Sequence, residues 1–173
     1  FATEPMADAL RALVAFYKSG ATADRQAYDI AWVRDKASPV DTMNGFIEVY
    51  LDARGIKGAW EALVFYVNTT KTAEIQKLAR EAQWFEDRMP WDAKYRKAGV
   101  QGITANAIDV VIETGDSGPI TQFAINLPND ESIRERYGSK SVSLSNVNEA
   151  YNKSQLPAFR SEFAWTPDEA DRA

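Results

Sequence analysis

The sequence contains no histidine and no cysteine, and these two absences exclude more than any motif it carries. Without Cys there is no disulfide, no thiolate metal site and no Cys nucleophile, while the redox compartment stays open. Without His there is no His-dependent catalytic triad, no imidazole general base and none of the His ligands of most catalytic zinc sites. What survives is chemistry done by carboxylates, phenols and amides, or a hard cation held by oxygen. No apolar run approaches the roughly 20 residues of a membrane-spanning helix. No glycine-rich phosphate loop is present. A net charge of −5 with both signs interspersed argues against a nucleic-acid surface. Neither a membrane nor a nucleic acid is therefore an expected partner.

What is present is an ordinary globular composition. The 173 residues are 45% hydrophobic and 26% charged, which fits one folded unit rather than a disordered chain. Five Trp, seven Tyr and eight Phe provide large side chains for a core or a binding surface. The chain begins at Phe1 rather than Met, so a processed protein and an excised segment are both open, and the lack of a visible leader carries no weight.

Periodicity predicts an α+β fold, with antiparallel strands combined with several helices. Pro5 to Lys18 reads as a helix, with Leu10, Leu13, Val14 and Tyr17 on one face and Gly20 as a stop. Tyr28 to Val33 alternates as a short strand. Met43 to Tyr50 reads as a strand with Ile47 and Val49 on one face and Phe46, Glu48 and Tyr50 on the other. A connection through Gly55 and Gly58 leads to Trp60–Val67, which fits helix or strand and is taken as strand for its β-prone Val64 to Val67. Thr70 to Arg88 is an amphipathic helix ended by Pro90. Ile103 to Glu113 reads as a strand, with helix left open by its alanines, and Gln122 to Leu127 as a short strand. Asn129 or Asp130 suits the cap of a short helix through Arg136. An extended stretch from Ser139 to Asn146 precedes a helix through Tyr151, and Thr166 to Glu169 looks like a further helix start.

Two groups of residues carry candidate chemistry. Glu48 can hold a cationic amine through charge-assisted hydrogen bonds, and Tyr50 beside it can donate to a developing oxyanion; the plain alternative is a solvent-facing Glu next to an amphipathic Tyr. Asn126 and Asn129 offer both donors and acceptors to a peptide backbone, against ordinary turn and capping work. Asp109, Glu113 and Asp116 match no calcium-loop spacing, so no metal site is expected in this chain.

Val40-Asp41-Thr42-Met43-Asn44-Gly45-Phe46-Ile47-Glu48-Val49-Tyr50, followed by Asp52 and Gly55, resembles the Gly-Phe-Ile-Glu-x-Tyr segment of the dipeptidyl peptidase III family of zinc metallopeptidases. Ala124-Ile125-Asn126-Leu127-Pro128-Asn129-Asp130, with Gly138 to Val147 after it, resembles a second segment of that family, and Ala82 to Asp87 is similar to its bacterial members. The resemblance runs from about Ala9 to Tyr151. It implies a two-lobed peptidase whose barrel lobe receives peptides as an added strand, facing a helical lobe that carries zinc. Glu48 would take the peptide's N-terminal ammonium, Asn126 and Asn129 would bind the same end, and Tyr50 would sit near the scissile carbonyl as the catalytic contact. Residues 1–68 would form a helix and barrel strands, 69–98 an insertion toward the helical lobe, 99–130 returning strands, and 131–173 short helices and an irregular end.

The family's His-Glu-x-x-x-His zinc motif has no counterpart, since there is no His. The chain resembles an internal segment preceding that motif: a peptide-binding part of an enzyme that removes dipeptides from N-termini, inactive by itself. The alternative is a stand-alone peptide-binding module of the same descent. The implied partners are an oligopeptide and the remaining lobe of the parent peptidase, the cofactor is zinc in that parent, and the expected location is the cytoplasm, with the periplasm as the alternative.

Overall fold

The computed structural model describes residues 2–100, 103–118, 121–163 and 166. Helix α1 (Glu4–Ser19) starts at Thr3, whose hydroxyl accepts from the Met6 amide, and ends at Gly20, which takes a left-handed φ of 67° so that its N–H reaches the Phe16 carbonyl. Helix α2 (Thr22–Arg34) occupies the region where alternation predicts a strand at Tyr28–Val33. The buried residues Tyr28, Asp29, Trp32 and Val33 recur at helical spacing, and Arg25 pairs with Asp29 one turn on. The six-residue window is too short to separate the two periods.

Strand β1 (Val40–Phe46) and strand β2 (Trp60–Val67) form the expected antiparallel hairpin. The first strand ends at Phe46, so Glu48 and Tyr50 lie beyond it rather than on its alternating face. The long helix expected from Thr70 is broken at Glu81 into α3 (Thr69–Arg80) and α4 (Ala82–Glu86). Asn68 caps α3, and Thr72 fastens it to the sheet by exchanging hydrogen bonds with the N–H and C=O of Ala107. Strands β3 (Ile103–Gly115) and β4 (Ala124–Leu127), helix α5 (Glu131–Tyr137, capped by Asp130), strand β5 (Ser139–Leu144) and helix α6 (Ser145–Phe163) follow. Helix α6 continues past the expected end at Tyr151 and accommodates Pro157. Of the helix start expected at Thr166–Glu169, all but Thr166 lies outside the described residues. Among the described residues no helix is long and apolar enough to cross a membrane.

The five strands form one open sheet in the order β1-β2-β3-β5-β4. It is mixed rather than wholly antiparallel, because β3 and β5 run parallel. A parallel pair needs a long crossover, and β4 and α5 lie within it. The sheet curls around its core. Asp41 on β1 reaches Lys140 on β5, with two strands between them in the order, Nζ and Oδ2 being 2.9 Å apart and both side chains buried. Trp32 of α2 donates its indole N–H to the same carboxylate at 3.0 Å, and the Lys140 ammonium lies 4.5 Å from the Trp32 ring centroid. Burial pushes the Asp41 carboxyl up, with Lys140 acting against it. Around this group pack Leu13, Tyr28, Val33, Met43, Leu63, Phe65, Ile108, Leu127, Val142 and Leu144. The curl brings the two edge strands toward each other at one end of the sheet.

Candidate functional site

At that end the chain between β1 and β2 faces the chain around β4. Beyond Phe46 the hairpin is continued by one backbone bond, from the Ala59 N–H to the Glu48 carbonyl at 2.9 Å. The connection is shaped by Asp52, whose carboxylate accepts from the amides of Arg54, Ile56 and Lys57 at 3.1, 3.0 and 2.8 Å. Those amides, Lys57's foremost, hold its carboxyl below the usual range. Asp52 thus fixes the loop that carries Glu48 and Tyr50. On the other side, Asp130 accepts from the Ser132 amide at the start of α5 and from Gln26 Nε2 of α2 at 2.9 Å, which places its neighbour Asn129.

Asn129 Nδ2 donates to Glu48 Oε2 across this gap at 3.3 Å. Glu48, Tyr50, Asn126 and Asn129 all line one pocket of about 220 Å³, together with Glu61, Gln122, Met43, Ala124 and Ile125. The four side chains singled out in the sequence therefore meet, although not on one strand face. Tyr50 stands at the rim, 82% exposed, and the Glu48 carboxylate beside it raises its phenol above the ordinary value. Asn126 is opposite Ser141 in the ladder and accepts from its hydroxyl at 3.2 Å, so its side chain shares the sheet face opposite to Ile125 and Leu127. It borders the pocket from the edge strand.

Glu61 is the residue that reading the sequence misses. It is 2% exposed, and its Oε2 accepts from Ser117 Oγ at 3.0 Å and Gln122 Nε2 at 3.2 Å. Gly115 makes this possible. Its φ of 68° turns the chain so that the Asp116 N–H meets the Trp60 carbonyl, and a side chain there would collide with that carbonyl. Ser117 is thereby tucked under Glu61. Burial pushes the Glu61 carboxyl up; the charges of Glu48 and Asp116 add to this, and Ser117 and Gln122 oppose it. The available signal was the alternation of β2, which puts Glu61 on the same face as Leu63 and Phe65.

The pocket is acidic and amide-lined, and no ion pair to Glu48 or Glu61 occurs among the described residues. Such a lining suits a cation with several N–H donors. It does not suit zinc: the chain has no His or Cys, and among the described residues no three acidic side chains converge to hold a metal ion.

Residues 2–166 match the model of peptidase family M49. The dipeptidyl peptidase 3 of Nematostella vectensis is 35% identical over 131 residues, covering 76% of this chain and 18% of that protein. The dipeptidyl peptidase 3 of Dictyostelium discoideum is 32% identical over 146 residues, covering 84% and 21%. The solved dipeptidyl-peptidase III from Corallococcus sp. strain EGB superimposes with a TM-score of 0.76 at 27% identity, covering 93% of this chain and 30% of that one. The chain spans about a fifth of the length of these two curated relatives.

Proposed function

This chain belongs to peptidase family M49, and from that premise we propose that it forms the peptide-binding wall of a zinc-dependent dipeptidyl peptidase. The observation that carries the reading is the pocket in which Glu48 and Glu61 face one cavity with Gln122, Asn126 and Asn129 and, among the described residues, no ion-paired base. A peptide's N-terminal ammonium supplies the missing charge and three donors. Among the described residues no strand pairs with the outer edge of β4, so an extended peptide can add there, antiparallel to β4, with its amine at the Asn129 end. An anchored amine sets a fixed distance to the bond that is cut, which is what counting off a dipeptide requires. Tyr50 at the rim is assigned to the carbonyl of that bond, and the exposed Leu78, Trp84 and Phe85 of residues 69–98 to the side of the helical lobe.

The residues present do not fit a zinc site, so no hydrolytic step is assigned to them. An assay of the 173-residue chain with added zinc is expected to release no dipeptides; zinc-dependent release would overturn this reading. The binding reading is tested by titrating the chain with tetra-alanine and with its N-acetyl form. Loss of the ammonium removes charged hydrogen bonds and should weaken binding about 10- to 100-fold. Equal affinities would remove the amine-anchor role.

A further inference from the structure

The two oxygens of Glu61 are in unlike circumstances. Oε2 has Ser117 and Gln122 as donors, whereas Oε1 is buried without a donor among the described residues, and so is Oε1 of Gln122 beside it. A buried acceptor with no donor is unfavourable, and a charged one more so. The charged groups that raise Glu61 are acidic. Glu48 and the Tyr50 phenol come from the β1–β2 connection and Asp116 from the end of β3. Glu113 lies on the same sheet face diagonally across the ladder, bonded to Thr121. The basic group that α2 presents against Gly45, Arg25, is already paired with Asp29.

We propose that Glu61 holds a proton on Oε1 while the pocket is empty and surrenders it when an ammonium enters, so that peptide uptake releases a proton. This rests on the amine-anchor reading above and adds how that site is regulated. A neutral acid and a peptide ammonium go in; a carboxylate–ammonium pair and one proton in solvent come out. No bond of the peptide changes. Burial and the neighbouring carboxylates already push the Glu61 carboxyl up, and an incoming cation reverses the electrostatic part of that push. Protons and peptide amines then compete. Below the raised midpoint of the empty pocket, apparent affinity should fall about tenfold per pH unit.

The test is calorimetric titration of the 173-residue chain with tetra-alanine, in two buffers of equal pKa but different ionisation enthalpies, at a pH just above the ordinary carboxylate range. The expected result is a heat difference equal to release of about one proton per peptide bound. Glu61→Gln should still bind peptide but lose the difference. Glu48→Gln, which keeps Glu61, should bind more weakly and retain it. Infrared spectra should show a carboxylic-acid band in the peptide-free chain that disappears on binding and is missing from Glu61→Gln. Should Glu61→Gln fail to fold, the buffer comparison and the band in the unsubstituted chain still decide. Amine-dependent binding with buffer-independent heat overturns the proton coupling and leaves the anchor standing. Equal affinity for tetra-alanine and N-acetyl-tetra-alanine overturns the anchor, and the coupling falls with it.

Discussion

Replacing Lys140 by Ala should lower the unfolding free energy by about 3–5 kcal/mol, read from denaturant midpoints. The reason is what remains behind. Asp41 would still be buried and would still accept from Trp32 and Thr42, but it would have no cation. Its carboxyl, already pushed up by burial, would rise further. A group whose folded pKa lies above its unfolded one favours folding below the unfolded value, and that stabilisation is lost as pH rises through the folded value. The defect should therefore be largest near neutral pH and shrink in mild acid, where Asp41 takes a proton. The double substitution Asp41→Leu with Lys140→Met removes both charges and should be less harmful than Lys140→Ala. A double variant as damaged as the single one would show that shape, not charge, governs the site. The same ion pair spans β1 to β5 across the curl, so its loss should also separate Glu48 from Asn129 and weaken amine-dependent binding in whatever chain remains folded.

That cross-sheet pair illustrates where the sequence ceases to be informative. Local pattern was enough for β2, whose observed bounds Trp60–Val67 are those that propensity predicts, and for α1 with its Gly20 stop. It failed at Tyr28–Val33, where Tyr28 and Trp32, four residues apart, satisfy both periods over so short a window, and helix won through packing of Trp32 and Val33. It also carried the first strand too far, because Ile47 and Val49 continue the alternation after the ladder has ended at Phe46. The parallel pairing of β3 with β5 is a tertiary choice that neither strand encodes alone. For the candidate site, the resemblance named Glu48, Tyr50, Asn126 and Asn129, and the curl of the sheet brings them to one pocket. Glu61 was missed, although it stands as an acid on an apolar strand face. Its partner Ser117 was not legible, since its position depends on the turn at Gly115 meeting the Trp60 carbonyl.

Glu48→Ala should weaken binding of a free-amine peptide by roughly 30- to 150-fold, which corresponds to about 2–3 kcal/mol, and leave the N-acetyl peptide little changed. The loss falls at the low end for truncation of a charged partner because Glu48 is only half-buried. Asn129→Ala removes the neutral amide that orients Glu48 and should cost less, about 0.5–1.5 kcal/mol. If Asn129 works through Glu48, the two losses will not add, and a double-mutant cycle will show the coupling. The Tyr50 phenol gives an independent check that Glu48 was removed without disturbing the loop. The charge of Glu48 is the foremost cause of its raised value, so in Glu48→Ala an ultraviolet titration should find it moved back toward the ordinary tyrosine value. Glu61 should behave differently, because burial leads its shift and survives the substitution. A variant in which Tyr50 relaxes, Glu61 stays raised and only the free-amine peptide is lost would separate the two carboxylates by role: Glu48 sets affinity for the amine from the rim, and Glu61 sets the charge state of the floor beneath it. Parallel loss of both peptides would instead assign Glu48 to holding the loop.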